Sequence, residues 1–296
     1  MNRSSSPRYS NTVPWFVRLA DRWVRSGWPA GHRSVEFLSR LGLLERSCPH
    51  TTPAGGTFWI SLDTAGLIGS DFFVHYERRA LDAFAMAVDE MEVPPILIDC
   101  GAETGLYTRL LLERTTRFNR IVAIEPNPRA VSMLELNFGQ IRGAYEILQM
   151  GAGDRRMTGS LTLPEYDRKE ASLFLTANSQ GDVIVAPLDE LVDERNLPVA
   201  LKVDVEGAEL EVLYGAKEVL RTAPSFVVQF EAHGSIWQRT GVCPFECLRF
   251  LQSIRDIRWS VFDERQDTEI DTMSMERPFF HQLPPDRFFD VVATSV

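Results

Sequence analysis

The sequence of 296 residues lacks any apolar run that approaches the roughly 20 residues needed for a transmembrane helix. Its N-terminus, MNRSSSPRYSNTVPWF, is polar and lacks the apolar core of a secretory signal. Cysteine is also scarce, with four residues, whereas secreted disulfide frameworks are denser and occur in shorter chains. These absences argue against a membrane-spanning or disulfide-stapled protein. They predict a cytoplasmic protein with no transmembrane segment.

Basic residues are fewer than acidic ones: the sequence has 31 Lys and Arg and 41 Asp and Glu residues, which gives a formal net charge of -10. Such a charge favours solubility and disfavours a polyanionic partner. Nucleic acid is therefore not expected as a partner. Pairs of Cys or His at the spacing of metal ligands are also rare. Cys243 and Cys247 form a C-x3-C pair, but no second Cys or His pair accompanies it. The pair is interpreted as ordinary thiols.

The N-terminal part differs in pattern from the rest of the chain. Residues 1–12 are rich in Ser and Arg, and apolar residues recur at helical spacing across residues 13–44. This amphipathic helix could pack on the main domain or on a partner subunit of a homo-oligomer, or make weak peripheral contact with an anionic membrane. Residues 49–57, PHTTPAGGT, are interpreted as a linker. The predicted division is an N-terminal segment, 1–57, and a main domain, 58–296, with its core at 96–233.

In the main domain, predicted strands alternate with predicted helices after a first helix at 76–91, and this order is typical of an α/β fold with a mostly parallel sheet and helices on both faces. Strands are predicted at 96–100, 120–124, 145–150, 199–205, 226–230, 259–262 and 289–294. Helices are predicted at 106–115, 129–138 and 209–221. The last two strands are expected to pair antiparallel at the sheet edge, and residues 158–186 to form a hairpin or loop.

The first strand of this core runs into a glycine-punctuated turn, ILIDCGAETG, which contains Asp99, Gly101 and Gly105. Ligands of such sheets bind at the carboxyl ends of the strands, where glycine lets the backbone approach them closely. The second strand ends in Glu125, about 20 residues beyond the turn, a spacing at which an acidic residue accepts hydrogen bonds from ribose hydroxyls. The two features together predict a nucleoside ligand.

The charges in the turn favour S-adenosylmethionine over a dinucleotide. The G-x-G-x-x-G sequence that holds a pyrophosphate is missing, and Glu103 would repel that group. Beside the sulfonium and ammonium groups of S-adenosylmethionine, the carboxylates of Asp99 and Glu103 would be attractive. The third strand is followed by Asp154, which is expected either to meet the adenine amino group or to be an ordinary turn residue.

A second polar group lies in the segment ALKVDVEGAELEVLYGA, where Lys202, Asp204 and Glu206 occupy alternate positions and so should share one face of a strand. Three charged side chains in an apolar strand are costly to bury without partners. They are better explained at the wet carboxyl end of the sheet, although a structural salt-bridge network is the alternative. The fifth strand brings Glu231 and His233 to the same rim.

With these motifs the chain resembles the FkbM family of methyltransferases over residues 96–233. The resemblance rests on the D-x-G-A-x-x-G turn, the E-P-N-P segment, the L-D-E-L stretch at 188–191 and the K-x-D-V-E-G-A-E-x-x-V-L-x-G-A block. It implies a Rossmann-like class I methyltransferase fold, S-adenosylmethionine as donor, and commonly a hydroxyl acceptor on a sugar or polyketide.

Carried over by position, the resemblance assigns residues to both substrates. It implies donor-binding roles for Asp99, Gly101, Gly105, Glu125, Asn127 and Asp154, and acceptor-side roles for Lys202, Asp204 and Glu206. The chain departs from the family pattern at Glu103, where Asn is usual. The change adds a charge and removes a hydrogen-bond donor, so donor affinity or loop geometry could differ.

The predicted reaction is an in-line displacement in which an acceptor oxygen attacks the donor methyl, and alignment is the main task of the protein. His233 is the first candidate for the general base, because an imidazole suits proton uptake at neutral pH. Asp204 or Glu231 could orient it or act instead. No metal is assigned; an alternative is a divalent ion held by Asp204, Glu206 and Glu231.

Two other functions remain open from the sequence. An NAD-dependent oxidoreductase would use the same fold, although its glycine fingerprint is missing. A non-catalytic binding module would keep the nucleotide fold and bind the donor without turnover, and Glu103 is the feature that leaves this reading open.

Overall fold

A computed structural model gives the structure of the protein. It describes residues 15, 16, 19, 22, 47–61, 72–162, 174–177, 180–270, 280, 283–284 and 287–296. The predicted N-terminal helix therefore lies mostly outside the described residues, although the four described positions between 15 and 22 are helical. Among the residues described, no helix is both long and apolar enough to cross a membrane.

The strands, in chain order, are β1 (Ser47–Thr51), β2 (Thr57–Ser61), β3 (Ile96–Cys100), β4 (Arg120–Ile124), β5 (Tyr145–Leu148), β6 (Gly151–Ala152), β7 (Met157–Thr162), β8 (Phe174–Ala177), β9 (Val183–Ala186), β10 (Val199–Val203), β11 (Phe226–His233), β12 (Ile257–Asp263), β13 (Thr268–Ile270) and β14 (Phe288–Ser295). The helices are α1 (Phe72–His75), α2 (Arg78–Glu90), α3 (Leu106–Leu112), α4 (Pro128–Phe138), α5 (Leu188–Leu191), α6 (Glu209–Gly215), α7 (Lys217–Thr222), α8 (Gly234–Thr240) and α9 (Phe245–Ile254).

The chain divides into two compact units. The first comprises Met1–Tyr76, Glu103–Glu113 and Pro128–Arg142, and the second comprises Glu77–Ala102, Arg114–Asn127 and Gly143–Val296. The predicted domain boundary after residue 57 follows neither unit and stays a prediction.

The first unit contains a hairpin where the sequence predicts a linker, so the linker interpretation of residues 49–57 is wrong. Strands β1 and β2 pair antiparallel, from Ser47 opposite Ser61 to Thr51 opposite Thr57. The Asn137 side chain of α4 holds β2, because it accepts a hydrogen bond from the Trp59 amide (2.7 Å) and donates one to the Trp59 carbonyl (2.9 Å). The turn residues of PHTTPAGGT thus connect two paired strands.

The second unit contains an eight-stranded sheet in the order β13-β12-β14-β11-β10-β3-β4-β5. The strands from β11 to β5 are all parallel, whereas β14 runs antiparallel to its neighbours β11 and β12. All five residues of β3 and of β10 are buried, as expected for central strands of a parallel sheet that is covered on both sides. The predicted Rossmann-like α/β fold is confirmed, and so is the antiparallel pairing of the last two predicted strands.

The two faces of this sheet differ in character. On one face, Ile98, Leu201 and Val228 join an apolar core with side chains of α6, α7 and α9. Helix α2 packs against β11 and β14 on the opposite face. Polar side chains sit among the apolar residues of this second face, and they build the candidate site.

The structure divides one predicted helix in two and adds detail to the predicted hairpin. The single helix predicted at 209–221 is divided into α6 and α7, and α6 ends at Gly215, where a Cβ would lie 1.9 Å from the Gly153 carbonyl oxygen. The predicted hairpin at 158–186 is confirmed, since β7 pairs antiparallel with β8; both belong to a four-stranded sheet of order β6-β9-β7-β8.

Candidate active site

The register of the parallel strands places a row of buried polar side chains on the α2 face of the sheet. Lys202 of β10 is opposite Asp99 of β3 on one side and Gln229 of β11 on the other. Their exposed fractions are 4% for Lys202, 0% for Asp99 and 2% for Gln229. Residues at matching register positions project to the same face, so the sheet itself brings these side chains together.

Lys202 links the two motifs identified in the sequence. Its Nζ donates hydrogen bonds to the Gly101 carbonyl and to Oδ2 of Asp204, both at 3.1 Å, and lies 3.7 Å from Oδ1 of Asp99. Burial alone would lower the pKa of Lys202, but the carboxylates of Asp204 and Asp99 outweigh it and hold that pKa above its usual value. Lys202 therefore stays charged and is committed to an ion-pair cluster.

Gly101 is required by the close approach of two strand ends. Its φ is +76°, and a Cβ at this position would lie 1.8 Å from the backbone oxygen of Asp204. The Gly101 amide donates a hydrogen bond to the Ile124 carbonyl at 2.9 Å, and the amide of Asp204 donates one to the Cys100 carbonyl at 3.0 Å. The ends of β4, β3 and β10 thus meet at this glycine.

Glu125 follows β4 directly, so it is next to the glycine turn in the sheet. Its side chain is mostly buried, and Oε1 accepts a hydrogen bond from the Asn127 amide at 2.8 Å. This bond fixes the E-P-N-P segment. Asp154 was expected just after the third strand of the main sheet, but it follows β6 of the four-stranded sheet. It is exposed and forms an ion pair with Arg155 at 3.1 Å.

The remaining two residues of the predicted donor-binding turn, Glu103 and Gly105, belong to the first unit. Gly105 has a φ of +85° and precedes α3, and a Cβ there would lie 2.7 Å from Leu134 and 2.8 Å from Phe138 of α4. This glycine therefore allows α3 and α4 to pack closely. Glu103 has a φ of +48°, in the left-handed region that favours Gly and Asn.

The expected alternation of Lys202, Asp204 and Glu206 along one strand is wrong, because β10 ends at Val203. Asp204 and Glu206 lie in the turn that leads to α6. The chain reverses there through two left-handed residues, Glu206 at φ +59° and Gly207 at φ +111°. Only Lys202 points from the strand itself.

Glu209, which was not among the predicted site residues, holds this turn. Its Oε1 accepts hydrogen bonds from the amides of Gly207 (2.9 Å) and Val205 (3.3 Å). Burial raises the pKa of the Glu209 carboxyl to about 7. The second glutamate of the K-x-D-V-E-G-A-E block thus caps the turn that leads to α6.

His233 has a structural role that bears on its predicted role as the base. It precedes α8, its Nδ1 accepts a hydrogen bond from the Ser235 amide at 3.2 Å, and the ring stacks on Phe288 with centroids 5.7 Å apart. A neutral imidazole has one acceptor nitrogen. With Nδ1 accepting, the neutral ring carries its proton on Nε2 and acts as a donor.

Sequence reasoning missed an acidic group beside this site, formed by Glu77, Glu264 and Asp290. The Gln229 side-chain amide donates to Oε2 of Glu77 (2.8 Å) and to Oδ1 of Asp290 (3.1 Å). Gln229 and Asp290 are polar residues in apolar strands, the same signal that identified Lys202. Glu77 and Glu264 lie in turns among other charged residues, where the sequence offers no signal.

The electrostatics of this region are dominated by crowded carboxyl groups. Burial, followed by repulsion from Asp204 and Asp290, raises the pKa of Glu231 well above its usual value. Burial and Glu77 raise the pKa of Glu264 to about 8, and burial and Glu264 raise the pKa of Asp290. The close carboxylate triad among the described residues is Glu77, Glu264 and Asp290, and not the Asp204, Glu206 and Glu231 set considered from the sequence.

The acidic residues at the ends of β3 and β4 suit a ribose-bearing ligand, whose hydroxyl groups donate hydrogen bonds. The two acidic residues at the ends of β3 and β4, Asp99 and Glu125, lie on either side of the Gly101 turn, and carboxylates accept hydrogen bonds from hydroxyl groups. Asp99 is buried against Lys202, so its charge is already matched, and Glu125 is the more exposed of the two.

Comparison with known proteins agrees with these motifs. The sequence model of the Methyltransferase FkbM domain matches residues 99–267. The chain is 28% identical over 159 residues to the hexuronic acid methyltransferase AglP of Haloferax volcanii, covering 52% of this chain and 64% of that protein. The chain thus spans less than two thirds of this relative.

Solved structures with similar folds include two methyltransferases. Methyltransferase FkbM from Methylobacillus flagellatus matches with a TM-score of 0.42 and 19% identity, over 68% of this chain and 43% of that chain. The N-methyltransferase NodS from Bradyrhizobium japonicum, in complex with S-adenosyl-L-homocysteine, matches with a TM-score of 0.42 and 7% identity, over 74% of this chain and 87% of that chain. Because the family model covers more than half of the sequence, the chain belongs to the FkbM methyltransferase family.

Proposed function

We propose that the protein transfers the methyl group of S-adenosylmethionine to an oxygen atom, a hydroxyl of a sugar, glycan or polyketide-type acceptor. The observation that carries the proposal is the placement of the two donor motifs. Strands β3 and β4 are parallel neighbours; the Gly101 turn follows β3, and Glu125 follows β4. The Gly101 amide donates a hydrogen bond to the carbonyl of Ile124, the residue before Glu125. That arrangement is typical of nucleoside sites in open α/β sheets.

The residues have distinct roles toward the donor. Glu125 is proposed to accept hydrogen bonds from the ribose hydroxyls, and Gly101 to allow close backbone approach. Asp99, Glu103, Gly105, Asn127 and Asp154 stay in the predicted donor-binding set. S-adenosylmethionine, when bound, supplies an electrophilic methyl group on a sulfonium that is a good leaving group, so the protein has mainly to align the acceptor oxygen.

The hexuronic acid methyltransferase among the relatives supports a sugar acceptor. Lys202, Asp204 and Glu206 are proposed to line the acceptor side. The acidic groups around Glu231 would repel a carboxylate and accept hydrogen bonds from hydroxyls. A neutral sugar hydroxyl therefore suits this site better than an ionised sugar acid.

The proton of the acceptor hydroxyl is proposed to go to a carboxylate rather than to His233. The Nδ1 lone pair of His233 is occupied by the Ser235 amide. One oxygen of Asp204 is occupied by Lys202. Glu231, two residues before His233 near the end of strand β11, is therefore the proposed proton acceptor.

Calorimetric titration of the purified chain with S-adenosylmethionine and, separately, with NAD tests the donor assignment. We expect saturable binding of S-adenosylmethionine, no binding of NAD, and strongly weakened binding in Glu125→Ala. Glu135→Ala, an exposed helical carboxylate, is the matched control and should bind as the parent does. A flat trace with S-adenosylmethionine, or saturable binding of NAD, contradicts the proposal.

A second experiment tests transfer itself with donor carrying a labelled methyl group. The acceptors are neutral sugars, the corresponding uronic acids and hydroxylated polyketides, and the site of methylation is read by mass spectrometry and NMR. We expect label on a hydroxyl oxygen of a neutral acceptor. Donor binding without transfer to any acceptor favours a non-catalytic binding module, and label on nitrogen contradicts oxygen as the acceptor atom.

A further inference from the structure

Trp15 is exposed in a chain that partly buries its other described tryptophans. The exposed fraction of Trp15 is 76%, whereas Trp59, Trp237 and Trp259 are all half-buried. Among the described residues, the Trp15 ring contacts the ring of Phe16, the next residue, with centroids 6.0 Å apart. A tryptophan buries a large apolar area when it packs, so the exposure of Trp15 indicates a surface that a partner covers.

Leu19 extends this apolar surface along the helix. The four described positions of the segment are helical, and residues four apart in a helix lie on the same face. Leu19 is 36% exposed. Trp15 and Leu19 are thus neighbours on a face that is open to solvent. This exposure disfavours the sequence interpretation in which the apolar face of the helix packs on the main domain.

Arg22 places a positive charge beside this apolar pair. It lies three residues after Leu19, on the same side of the helix, and it is exposed too. In the sequence, Arg18 and Arg25 lie at helical spacing from Arg22. Helices that combine Trp and Leu with arginine are typical of the headgroup region of a bilayer. There the apolar side chains enter the acyl boundary, while the guanidinium groups extend to the lipid phosphates.

The distribution of charge along the chain identifies the sign of the partner. Residues 1–46 contain eight arginines and three acidic residues, whereas residues 47–296 contain 23 basic and 38 acidic residues. An anionic bilayer therefore attracts the N-terminal part and repels the rest, which orients the protein on the surface. A symmetric contact with a second copy through this face would bring the arginines of both copies together, so it is disfavoured by like charge.

We propose that Trp15, Leu19 and Arg22 form a docking surface for an anionic lipid bilayer. The contact is peripheral and reversible, because a few apolar and basic side chains do not make a stable anchor. The docking surface concerns where the protein acts and does not depend on the proposed methyl transfer, so either proposal can fail without the other.

The test uses the full chain without methyl donor or acceptor. The protein is mixed with sedimentable vesicles of phosphatidylcholine alone or of phosphatidylcholine with phosphatidylglycerol, and the bound fraction is measured after centrifugation. We expect saturable binding to the anionic vesicles and far weaker binding to the neutral ones. High salt should release the protein, because it screens the attraction between arginine and lipid phosphate.

Variants locate the surface. Trp15→Ser combined with Leu19→Ser should weaken binding to anionic vesicles by at least about tenfold. Arg22→Gln should weaken it by about fivefold, as expected for loss of one basic residue near a charged bilayer. The matched controls are Met86→Ser, an exposed apolar residue of α2, and Arg258→Gln, an exposed arginine of β12, and both should bind as the parent does. Circular dichroism checks that each variant is folded.

Three outcomes overturn the proposal. The first is no binding of the parent to anionic vesicles, or equal binding to neutral ones. The second is unchanged binding in the Trp15 and Leu19 double variant or in Arg22→Gln. The third comes from sedimentation velocity without lipid: self-association of the parent that the double variant abolishes would assign this face to a second copy of the chain.

Discussion

Lys202 and Asp99 lie side by side on neighbouring parallel strands, 3.7 Å from Nζ to Oδ1, and both side chains are almost fully buried. Each belongs to a different sequence motif, so this ion pair joins the predicted donor side of the site to the predicted acceptor side. Replacing Lys202 with Met keeps an unbranched side chain of similar bulk, removes its charge and leaves the Asp99 charge uncompensated. Because breaking a buried pair costs about 3–5 kcal/mol, we expect Lys202→Met to lower the free energy of unfolding by that amount in urea denaturation.

The double variant Lys202→Met with Asp99→Asn isolates the cause of this loss. Asp99→Asn removes the unpaired charge and keeps the shape of the Asp99 side chain, so the double variant should recover most of the stability lost in the single variant. If the double variant is no more stable than Lys202→Met, the loss arises from packing and the ion-pair explanation is wrong.

Gly101 and Gly241 provide a matched pair for the crowding at the strand ends. Their φ values are +76° and +75°, but a Cβ on Gly241 would have no neighbour within 4 Å, whereas one on Gly101 would lie 1.8 Å from the Asp204 carbonyl oxygen. Gly241→Ala should cost about 1–2 kcal/mol, the usual cost of a left-handed residue with a Cβ. Gly101→Ala should cost above about 4 kcal/mol, because the backbone must also move.

Urea denaturation of the two alanine variants measures this difference. Equal losses of stability would mean that only the backbone conformation matters at Gly101. In that event the close contact between β3 and β10 would not be the reason for the glycine.

The parts of the fold that the sequence predicts best are those with one dominant physical signal. The bounds of β3 and β4 agree with the predicted bounds, because both strands are mostly apolar and a proline or glycine lies close to their ends. The β1–β2 hairpin was missed, since its strands are short, β1 contains Pro49, and some of its buried positions, such as His50, are polar. The break between α6 and α7 depends on the approach of Gly153, a contact distant in sequence.

The candidate site could be predicted in part for the same reason. A lysine in an apolar strand, such as Lys202, indicates a buried partner or a functional face, and register supplied that partner in Asp99. The role of His233 as a cap depends on the position of one amide, which the sequence does not give. Glu264 joins the site only because its turn is tied to the start of α2.

Glu209 should make stability depend on pH. Its carboxyl has a pKa near 7 in the folded protein, against an ordinary value of 4.5, so the unfolded chain releases this proton first as pH rises. The group therefore contributes stability below about pH 4.5 that is lost as pH rises through about 7, by up to roughly 3 kcal/mol. Glu209→Gln keeps an acceptor for the Gly207 amide and removes this loss.

The measurement compares urea denaturation of the parent and Glu209→Gln between about pH 5 and 8. The stability of the variant relative to the parent should rise with pH. Glu218→Gln is the control, because a hydrogen bond from Arg221 lowers the pKa of the exposed Glu218 carboxyl. A constant difference between Glu209→Gln and the parent across this range would show that Glu209 ionises normally.

The two candidates for the proton acceptor respond differently to substitution. Asn can replace His233 as a helix cap, so His233→Asn should keep kcat within about tenfold, whereas Glu231→Gln should lower kcat by about 10²–10⁴-fold as expected for loss of a general base. Both variants are assayed with saturating donor and acceptor. A hundredfold loss of kcat in His233→Asn with retained stability would return the role of base to the histidine.

Substitution of Glu103, where the family usually has Asn, tests whether this difference acts through backbone strain or through charge. Its φ of +48° is unfavourable for a residue with a Cβ, and Asn, the usual family residue, tolerates this region better. Glu103→Asn should therefore raise the free energy of unfolding by about 0.5–1 kcal/mol. Glu135→Asn, within α4, should instead lower it by up to about 0.7 kcal/mol, because Asn is a poorer helix former.

Calorimetric titration of the same variants with S-adenosylmethionine measures the effect of the Glu103 charge on donor binding. If this charge attracts the cationic donor, Glu103→Asn is more stable than the parent yet binds S-adenosylmethionine more weakly, and the difference in affinity shrinks at high salt. A gain in affinity together with stability would mean that Glu103 hinders the donor through its backbone alone.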